Sequence, residues 1–334
     1  TGAGGSIPSE LCRQIARLNP DKLRMRSHGE NSIFRSLLSL KERFPVLEIV
    51  PIIADVRDQP RIAVIFDRWQ PEVIFHTAAH KHVPLMESNI EEAVTNNILG
   101  TQNIVHAALG NDVQRLVMIS TDKAIRPVNI MGATKRIAEM LVLDAAREHD
   151  KAFTVVRFGN VLGSRGSVVP RFKRQIAAGG PLTVTHPEMK RYFMTIPEAV
   201  HLVLQASALS KGGENFILDM GQPVKILDLA EDLIRLSGLE PGKDIEIVFS
   251  GIRPGEKLSE DLWDHGFAYS PTAHPDIHRV DSEGVMSSED LHAAVDELIE
   301  LAREGRQEEI INRLSETIPG ASIYDHEPDL NMVE

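Results

Sequence analysis

The stretch with the most reactive side chains reads S-T-D-K-A-I-R-P-V-N-I-M-G-A-T-K and covers residues 120–135. It places a hydroxyl, a carboxylate and an amine in succession, at Thr121, Asp122 and Lys123, directly after the apolar run 115–119. Such groups can orient a substrate and transfer protons. An apolar run of this length predicts a buried strand, and ligands of open α/β sheets bind at the carboxyl ends of strands. The same residue types also form turns and helix caps, so both interpretations remain open at this point.

A second lysine, Lys135, follows four positions after Met131, where a helical pattern is beginning. Residues four apart lie on one face of a helix, so the two side chains are expected to point the same way. A lysine on the helix that follows the strand would add a second amine to the three groups at the strand end. The arrangement is a candidate catalytic site.

Composition excludes several classes of protein. The chain has 334 residues and is 42% hydrophobic, enough to bury one large or two modest cores. No window reaches the roughly 18 uninterrupted apolar residues of a membrane-spanning helix, so we expect no membrane contact from this segment itself. The single cysteine, Cys12, excludes an internal disulfide and fits a reducing compartment.

The net charge of −12 is concentrated at one end of the chain. Residues 281–334 hold fifteen acidic and three basic residues, while the remainder holds 33 of each. The excess indicates a solvated helical face and tail. Residues 165–191 instead carry six Lys or Arg against one Glu, which suits a small anionic ligand such as a diphosphate. The stretch is too short and too poor in aromatic residues to indicate nucleic acid.

The chain opens on the glycine-rich turn T-G-A-G-G-S-I-P before an amphipathic helical pattern. Glycines allow backbone N–H groups to approach a pyrophosphate at a helix N-terminus, so Gly2, Gly5, Ser6 and Ile7 are candidate cofactor contacts. Pro8 stands where a third glycine is usual, and proline is tolerated in a first helical turn. A turn of this kind should follow a strand, so we expect the first, central strand to be missing and the parent protein to be longer.

The end of the next predicted strand bears on the choice of cofactor. Arg26 and Ser27 stand where an acidic residue would bind a ribose 2′-hydroxyl, and they suit a 2′-phosphate instead. NADP is therefore favoured over NAD, the alternative being an exposed polar strand end. A third strand ends at Asp55 and Val56, which could meet the adenine.

A fourth predicted strand, 73–79, ends in the small residues Ala78 and Ala79, past which a cofactor could run closely. His76, His80 and His82 lie nearby, but their spacing and the lack of a Cys or carboxylate partner do not form a convincing ligand set. We therefore predict no metal. We assign neighbouring Lys81 to an anionic substrate.

Strand and helix patterns alternate regularly as far as the strand 153–160 and less regularly afterwards. The sequence therefore predicts an α/β protein with a Rossmann-type doubly wound parallel sheet, its first strand missing or truncated, and a smaller C-terminal substrate-binding lobe. Residues 1–160 would form the NADP-binding domain. Residues 161–280 would form mainly the lobe, with segments returning to the sheet, and 281–334 the acidic helices and tail.

Eight motifs occur in order across nearly the whole chain. They are T-G-A-G-G-S-I, A-A-H-K-H-V-P, N-N-I-L-G-T, S-T-D-K-A, M-G-A-T-K, R-F-G-N-V-L-G-S-R-G-S-V-V-P, R-Y-F-M-T-I-P-E-A and R-P-G-E-K-L. Together they closely resemble the polysaccharide-biosynthesis nucleotide-sugar 4,6-dehydratases, extended members of the short-chain dehydrogenase/reductase superfamily. The resemblance implies UDP-N-acetylglucosamine as substrate and a UDP-4-keto-6-deoxy-N-acetylhexosamine as product. We also expect a homo-oligomer.

The resemblance also implies roles for the residues of the central stretch. Thr121 would orient the C4 oxygen, and Lys123 would be the C5 base, which requires a pKa lowered by desolvation or by Lys135. Asp122 would be the acid at C6, and Lys135 would hold the nicotinamide ribose. Met131 stands where most of the superfamily has a tyrosine, so the proton transfers at both C4 and C6 are assigned to Asp122.

Larger, membrane-anchored members of the family share this methionine and are associated with retention of configuration at C5. The resemblance therefore predicts a parent protein anchored in the inner or plasma membrane, with this segment on the cytoplasmic face. Asn160, Arg191 and Arg253 become candidates for the nucleotide and diphosphate, and Glu256 for a ribose or uracil contact. Each of these has a structural alternative, since arginines in loops often form salt bridges.

Two further hypotheses remain open. Within enzymes, the chain could be an inverting dehydratase or a nucleotide-sugar 4-epimerase, although epimerases of this superfamily depend on the tyrosine that Met131 replaces. From another class, it could be a degenerate, non-catalytic nucleotide-sugar-binding protein, which Pro8 and the absent first strand would favour.

Overall fold

The computed structural model describes residues 1–264, 266–281 and 286–323. Part of the predicted acidic tail, at 282–285 and 324–334, lies outside the described residues. The α-helices are α1 Ser6–Ala16, α2 Glu30–Arg43, α3 Gln59–Trp69, α4 Val83–Glu87, α5 Ile90–Ala93, α6 Gly100–Gly110, α7 Ile130–His149, α8 Val168–Ala177, α9 Ile196–Leu209, α10 Ile226–Leu236, α11 Ser288–Glu304 and α12 Gln307–Thr317. A π-helical segment, Val94–Leu99, joins α5 to α6, and a short 3₁₀ turn, Asp122–Ala124, precedes α7.

The strands are β1 Lys22–Ser27, β2 Glu48–Ile53, β3 Val73–His76, β4 Arg115–Thr121, β5 Ala152–Phe158, β6 Asn160–Val161, β7 Leu182–Val184, β8 Lys190–Arg191, β9 Phe193–Met194, β10 Asn215–Leu218, β11 Val224–Lys225, β12 Ile247–Phe249, β13 Tyr269–Pro271 and β14 Ile277–Val280. Six of them form one sheet in the order β13-β14-β10-β5-β4-β3. Neighbours from β3 to β10 run parallel, and β14 and β13 are added antiparallel. The prediction of an α/β fold with a parallel sheet is confirmed.

The strands β1 and β2 pair in parallel as a separate two-stranded sheet. Residues 1–3 lie between the two sheets: the Thr1 nitrogen donates to Phe75 O at 2.8 Å, and the Ala3 N–H donates to Arg26 O at 3.0 Å. The glycine-rich turn therefore begins between the carboxyl ends of β1 and β3. In a doubly wound fold that is where a ligand crosses the sheet.

Strand β4 is buried on both faces, which explains its continuous apolar sequence. On one face it packs with α6 and α7, through side chains such as Ile104 and Val142. On the other it packs with α1 and α9, through side chains such as Leu11 and Val203. Helices on both faces hold the carboxyl end of β4 rigidly in the centre of the molecule.

A smaller lobe has its own core, in which α8 and α10 cover the pair β7–β12. Its buried side chains include Phe172, Leu182 and Ile234. The later elements α9, β10, β13 and β14 return to the main sheet and its covering layer.

The last two helices, α11 and α12, pack against α4, α5, the π-helical segment and α7. Leu298 and Ile310 are fully buried there beside Ile130 and Ile137. The solvated helical face that the acidic residues indicate thus lies on α11, whose apolar face packs on the domain. None of the described helices combines the length and apolar character needed to cross a bilayer.

Candidate active site

A cavity of about 840 Å³ lies at the carboxyl ends of β1, β3, β4 and β5, beneath the smaller lobe. The glycine-rich turn borders one end of it, and residues of β7, β8 and the segment 253–260 border the other. This position, at the crevice outside the strand ends, is the usual ligand site of an open α/β sheet.

The glycine-rich turn has the backbone geometry that the sequence predicts. Gly2 has φ +68°, and a Cβ there would lie 2.8 Å from Thr77 Oγ1, so no larger residue fits. Gly5 precedes α1, whose first residues, Ser6 and Ile7, border the cavity. First-turn N–H groups have no intrahelical acceptor and remain available to an anion.

Pro8 is the third residue of α1 and is buried. In a first helical turn its missing N–H removes no intrahelical bond. Its ring lies beside Gly5, where a Cβ would approach Pro8 Cγ to 3.0 Å. The proline is thus accommodated by the glycine before it, and the helix N-terminus keeps its normal form.

Arg26 and Ser27 at the end of β1 are both buried and border the cavity. One guanidinium nitrogen of Arg26 donates to Ala54 O at 3.2 Å, whereas its Nε has no partner among the described residues. Burial lowers the pKa of Arg26 to about 10. A buried cation with an unpaired N–H at this end of the cavity fits an anionic group there.

The carboxylate of Asp55, which the sequence predicts to meet an adenine, is already paired. It accepts from Arg57 Nε at 3.0 Å and from a terminal Arg57 nitrogen at 2.8 Å. The hydrogen bonds from Arg57 lower the pKa of Asp55 to about 2. Asp55 is not among the residues that line the cavity, whereas the neighbouring Val56 is.

The segment after β3 lines the middle of the cavity, including Ala78, Ala79 and Lys81. Asn97 in the π-helical segment holds it in place: its side chain accepts from the His80 N–H at 2.8 Å and donates to His80 O at 3.1 Å. Asn97 is therefore a backbone clamp. Burial, and next the charge of Arg165, lower the pKa of Lys81.

His76 lies behind this segment, with its two ring nitrogens 2.8 Å from Thr1 Oγ1 and 3.0 Å from Thr101 Oγ1. Burial lowers its pKa well below the ordinary value, so the ring is neutral and structural. Across residues 1–264, 266–281 and 286–323 no group of three or more His, Cys, Asp or Glu side chains is arranged to hold a metal ion.

The residues predicted to do chemistry form one hydrogen-bonded network at the end of β4. Asp122 Oδ1 accepts from Thr121 Oγ1 at 2.8 Å and from Lys123 Nζ at 3.0 Å. Thr121 and Lys123 border the cavity, whereas Asp122 is 1% exposed and lies behind them. Its second oxygen, Oδ2, has no partner among the described residues. Asp122 can therefore exchange protons with the cavity through its two neighbours.

The charge state of Lys123 differs from the prediction. Burial alone would lower its pKa, but the carboxylates of Asp122 and Glu260 outweigh burial, so its pKa is raised. Glu260 Oε1 lies 3.3 Å from Lys123 Nζ. The expectation that desolvation or Lys135 depresses the pKa of Lys123 is wrong, because the carboxylates of Asp122 and Glu260 contact its amine and outweigh burial.

The lysine whose pKa is lowered is Lys135 instead. It is buried in α7, donates to Ile119 O at 2.9 Å, and has a pKa lowered by burial to about 8. Met131, one turn earlier, is 2% exposed and borders the same cavity. Its thioether has no proton to donate, so the position contributes shape and apolar surface.

At the far end, Asn160, Arg191, Arg253 and Glu256 all border the cavity. Arg191 is buried and donates to Lys190 O at 2.7 Å and to Leu258 O at 3.2 Å. Arg253 approaches Glu256 Oε1 at 4.0 Å. Glu256 Oε2 is buried without a partner among the described residues.

The sequence did not single out Glu260 as a site residue, and it counted Arg165 only among the basic residues of the stretch 165–191. Glu260 follows R-P-G-E-K-L by two residues, and its side chain is 5% exposed at the cavity wall. Arg165 lies in the quoted G-S-R-G-S. Its guanidinium donates to Gly4 O, and its backbone N–H donates to Ser6 Oγ at 3.0 Å. Arg165 thereby connects the loop 163–167 to the glycine-rich turn. Both belong to the quoted motifs or their flanks, but only the fold shows what they contact.

The chain is similar to known proteins over most of its length. A family model described as "Polysaccharide biosynthesis protein" matches residues 1–282. The chain is 56% identical over 281 residues to the capsular polysaccharide biosynthesis protein CapD of Staphylococcus aureus, covering 84% of this chain and 47% of CapD. This chain thus spans about half the length of that relative.

A second relative, of Campylobacter jejuni serotype O:23/36, is called UDP-N-acetylglucosamine 4,6-dehydratase (inverting). It is 41% identical over 212 residues, which are 62% of this chain and 60% of that protein. The solved structure of Pen from Bacillus thuringiensis superimposes with a TM-score of 0.76 at 34% identity, covering 89% of this chain and 95% of Pen. With the family match over most of its length, the chain belongs to the polysaccharide biosynthesis protein family, within the extended short-chain dehydrogenase/reductase superfamily.

Proposed function

We propose that this chain is the catalytic domain of a nucleotide-sugar 4,6-dehydratase that converts UDP-N-acetylglucosamine to a UDP-4-keto-6-deoxy-N-acetylhexosamine for surface polysaccharide synthesis. One observation carries the proposal: the Thr121–Asp122–Lys123 network and a dinucleotide-type glycine turn border the same cavity. The name of the Campylobacter relative supports both the reaction and the sugar.

The cavity fits a nicotinamide dinucleotide, and NADP in particular. The first turn of α1 would bind the pyrophosphate, and Arg26 with Ser27 would bind a 2′-phosphate through the unpaired Arg26 Nε. No carboxylate of the described residues borders the cavity at the end of β1, where NAD would need one. A bound nicotinamide cofactor would supply the hydride acceptor for sugar C4 and the hydride donor for C6.

The chain's own residues must move protons at four points of such a reaction: off O4, off C5, onto the leaving C6 hydroxyl and back onto C5. Thr121 orients the C4 oxygen, and Asp122 takes the C4 hydroxyl proton through the Thr121 hydroxyl. The ketone at C4 acidifies the C5–H bond, and Lys123 removes that proton and later returns one to C5. Because Lys123 is held as an ammonium before substrate binds, it must first release a proton to solvent through the cavity, which leaves Asp122 ionised to take the C4 proton.

Departure of the C6 hydroxyl requires a proton donor. Asp122 is proposed to return its proton there, so that one carboxyl group acts at both C4 and C6. Lys135, with a pKa of about 8, positions the nicotinamide ribose and adds positive charge near the reacting carbon. Met131 excludes water from the position where a tyrosine would exchange a proton.

We propose that the diphosphate and nucleotide are bound by Asn160, Arg191 and Arg253. Lys81 would contact an anionic group of the substrate, and Glu256 would contact a ribose or uracil group. The unpaired Glu256 Oε2 and the exposed guanidinium of Arg253 support this assignment. The full-length parent is proposed to be membrane-anchored and oligomeric, with this domain on the cytoplasmic face.

Retention of the C5 configuration is proposed on the basis of Met131. An inverting dehydratase is the second candidate, because the Campylobacter relative carries that description. The two differ only in the face of C5 to which a proton returns. Product stereochemistry therefore distinguishes them.

Proton NMR in D₂O tests the proposal directly. The full-length protein is incubated with NADP⁺ and UDP-N-acetylglucosamine. We expect a new 6-methyl signal and deuterium at C5, with retention assigned by comparing the product with authentic sugars of retained and inverted C5 configuration. Formation of a 4-epimer alone, or unchanged substrate despite saturable NADP⁺ binding, would contradict the dehydratase assignment.

The non-catalytic hypothesis makes a separate prediction about Pro8. If the proline damages the cofactor site, Pro8→Gly should greatly strengthen NADP⁺ binding. Because Pro8 is accommodated beside Gly5, we expect no such gain when the two proteins are compared by titration calorimetry.

A further inference from the structure

Lys123 is held from two different parts of the fold. Asp122, its neighbour in sequence, contacts it from the end of β4, and Glu260 contacts it from the late segment of the lobe, at 3.0 Å and 3.3 Å respectively. All three side chains are nearly buried, with exposures of 14% for Lys123, 0% for Asp122 and 5% for Glu260. A carboxylate so deeply buried is costly unless it is paired.

The segment that carries Glu260 is fixed on both sides. Lys190 N–H donates to Leu258 O at 2.8 Å, and Ser259 forms a β-bridge with Lys190. Lys257 Nζ contacts Ile125 O at 3.4 Å, just beyond the 3₁₀ turn that carries Lys123. These contacts fix the segment so that Glu260 lies against the Lys123 amine.

Three charged groups face the Lys123 amine. Asp122 and Glu260 favour its ammonium form, whereas Arg191, whose Nε lies 3.8 Å from Glu260 Oε1, opposes it. Asp122 is also bound by Thr121, so its charge is shared. Glu260 makes no further ion pair than these two within the described residues.

We propose that Glu260 is a positioning residue of this site, which holds the Lys123 ammonium over the cavity from the lobe side and controls when Lys123 can accept a proton from the substrate. The inference rests on the proposed function for its consequence in catalysis. The charge coupling itself does not depend on that function.

The first experiment measures the coupling without any turnover. The full-length protein is labelled with ¹³Cε-lysine, and the Lys123 signal, assigned with Lys123→Arg, is titrated against pH. An opposite charge at this distance shifts the pKa of a neighbouring group by about one to three units. We expect Glu260→Gln to lower the Lys123 midpoint by at least about one unit, a tenfold gain in neutral amine at a given pH.

Asp261→Asn is the matched control, since Asp261 is the adjacent carboxylate but pairs with Lys257 instead. We expect it to leave the Lys123 midpoint in place. Glu260→Asp keeps the charge, so its Lys123 midpoint should stay near that of the wild type, and this variant also serves if the glutamine variant does not fold. An unchanged midpoint in Glu260→Gln, or a midpoint in Glu260→Asp that falls by the full amount expected for loss of the charge, would overturn the proposal.

The second experiment follows deuterium incorporation at C5 against pH. Glu260→Gln should move the rising limb of the rate profile to lower pH, whereas a purely structural residue would lower the rate without moving the limb. A rising limb at the wild-type pH would overturn the catalytic consequence. If wild-type protein forms no 6-methyl product but the NMR midpoint still shifts, the proposed function fails and the Lys123–Glu260 pairing stands.

Discussion

Two clusters of buried charge in this fold differ in two respects. In the first, Glu139 of α7 accepts from Arg157 Nε at 2.8 Å and from Arg136 at 3.1 Å, and the glutamate is fully buried. In the second, Lys123 lies between Asp122 and Glu260. Both sets are nearly inaccessible to solvent, and both combine carboxylates with cations.

The difference is access to the cavity and completeness of pairing. None of the three residues of the Glu139 cluster borders the cavity, and both oxygens of Glu139 are bonded. The Lys123 cluster borders the cavity and leaves Asp122 Oδ2 without a partner in the described structure. A fully paired buried network rigidifies a fold, whereas an incompletely paired one beside a cavity is typical of a functional site. Burial and charge alone therefore do not distinguish structure from catalysis.

The largest expected effect separates the clusters by activity. Asp122→Asn keeps the size of the side chain but removes its ability to exchange a proton, so we expect dehydration to fall by about 10²- to 10⁴-fold. The unfolding free energy should change far less, because Lys123 keeps Glu260 as a partner. Initial rates by NMR and urea unfolding measure the two effects, and a variant that loses stability but retains activity would break the comparison.

The reverse outcome is expected for the other cluster. Glu139→Gln removes the carboxylate charge that pairs with buried Arg157, and breaking a buried pair costs about 3–5 kcal/mol. Urea unfolding should register the loss, while the protein that remains folded should keep its pH profile for dehydration. A stable Glu139→Gln protein with abolished activity would assign this cluster to the site.

Lys135 extends the comparison to a buried amine that borders the cavity but forms no ion pair with a carboxylate of the described residues. Its pKa falls from 10.5 to about 8, so below pH 8 the folded protein bears the full cost of burying the ammonium. That cost is relieved as pH rises from 8 to 10.5, because the unfolded chain then binds more protons than the folded one. Lys135→Met removes the cost, a gain of about 3 kcal/mol below pH 8 that disappears towards pH 10.5. Urea unfolding at pH 7 and pH 10 measures it, and a pH-independent difference would contradict the assigned pKa.

The smallest effect is expected at an exposed pair. Arg306, at the N-cap of α12, and Glu309 on that helix form an ion pair in solvent, where side-chain entropy and screening offset the attraction. Arg306→Ala should leave both the urea midpoint and the dehydration rate unchanged within error. A measurable loss of stability would show that exposed pairs in this protein are worth more than burial predicts.

For some residues the sequence predicted both the position and the contacts in the site, and for others it predicted the position alone. Thr121, Lys123, Met131 and Lys135 come together as expected, because one strand and the helix after it set their positions. Asp55 was assigned to the cofactor from its place at a strand end, but Arg57, two residues away, pairs with its carboxylate. A strand end indicates where a side chain begins and not where its charged group is bound.

The sequence by itself determined the elements and the family. Local periodicity and glycine spacing identify strands, helices and the phosphate-type turn, since these depend on neighbouring residues. Only the tertiary structure decided the charge of Lys123, because Glu260 reaches it from a distant part of the chain. Electrostatic energy depends on distance in space and on burial, and neither can be read from spacing along the chain.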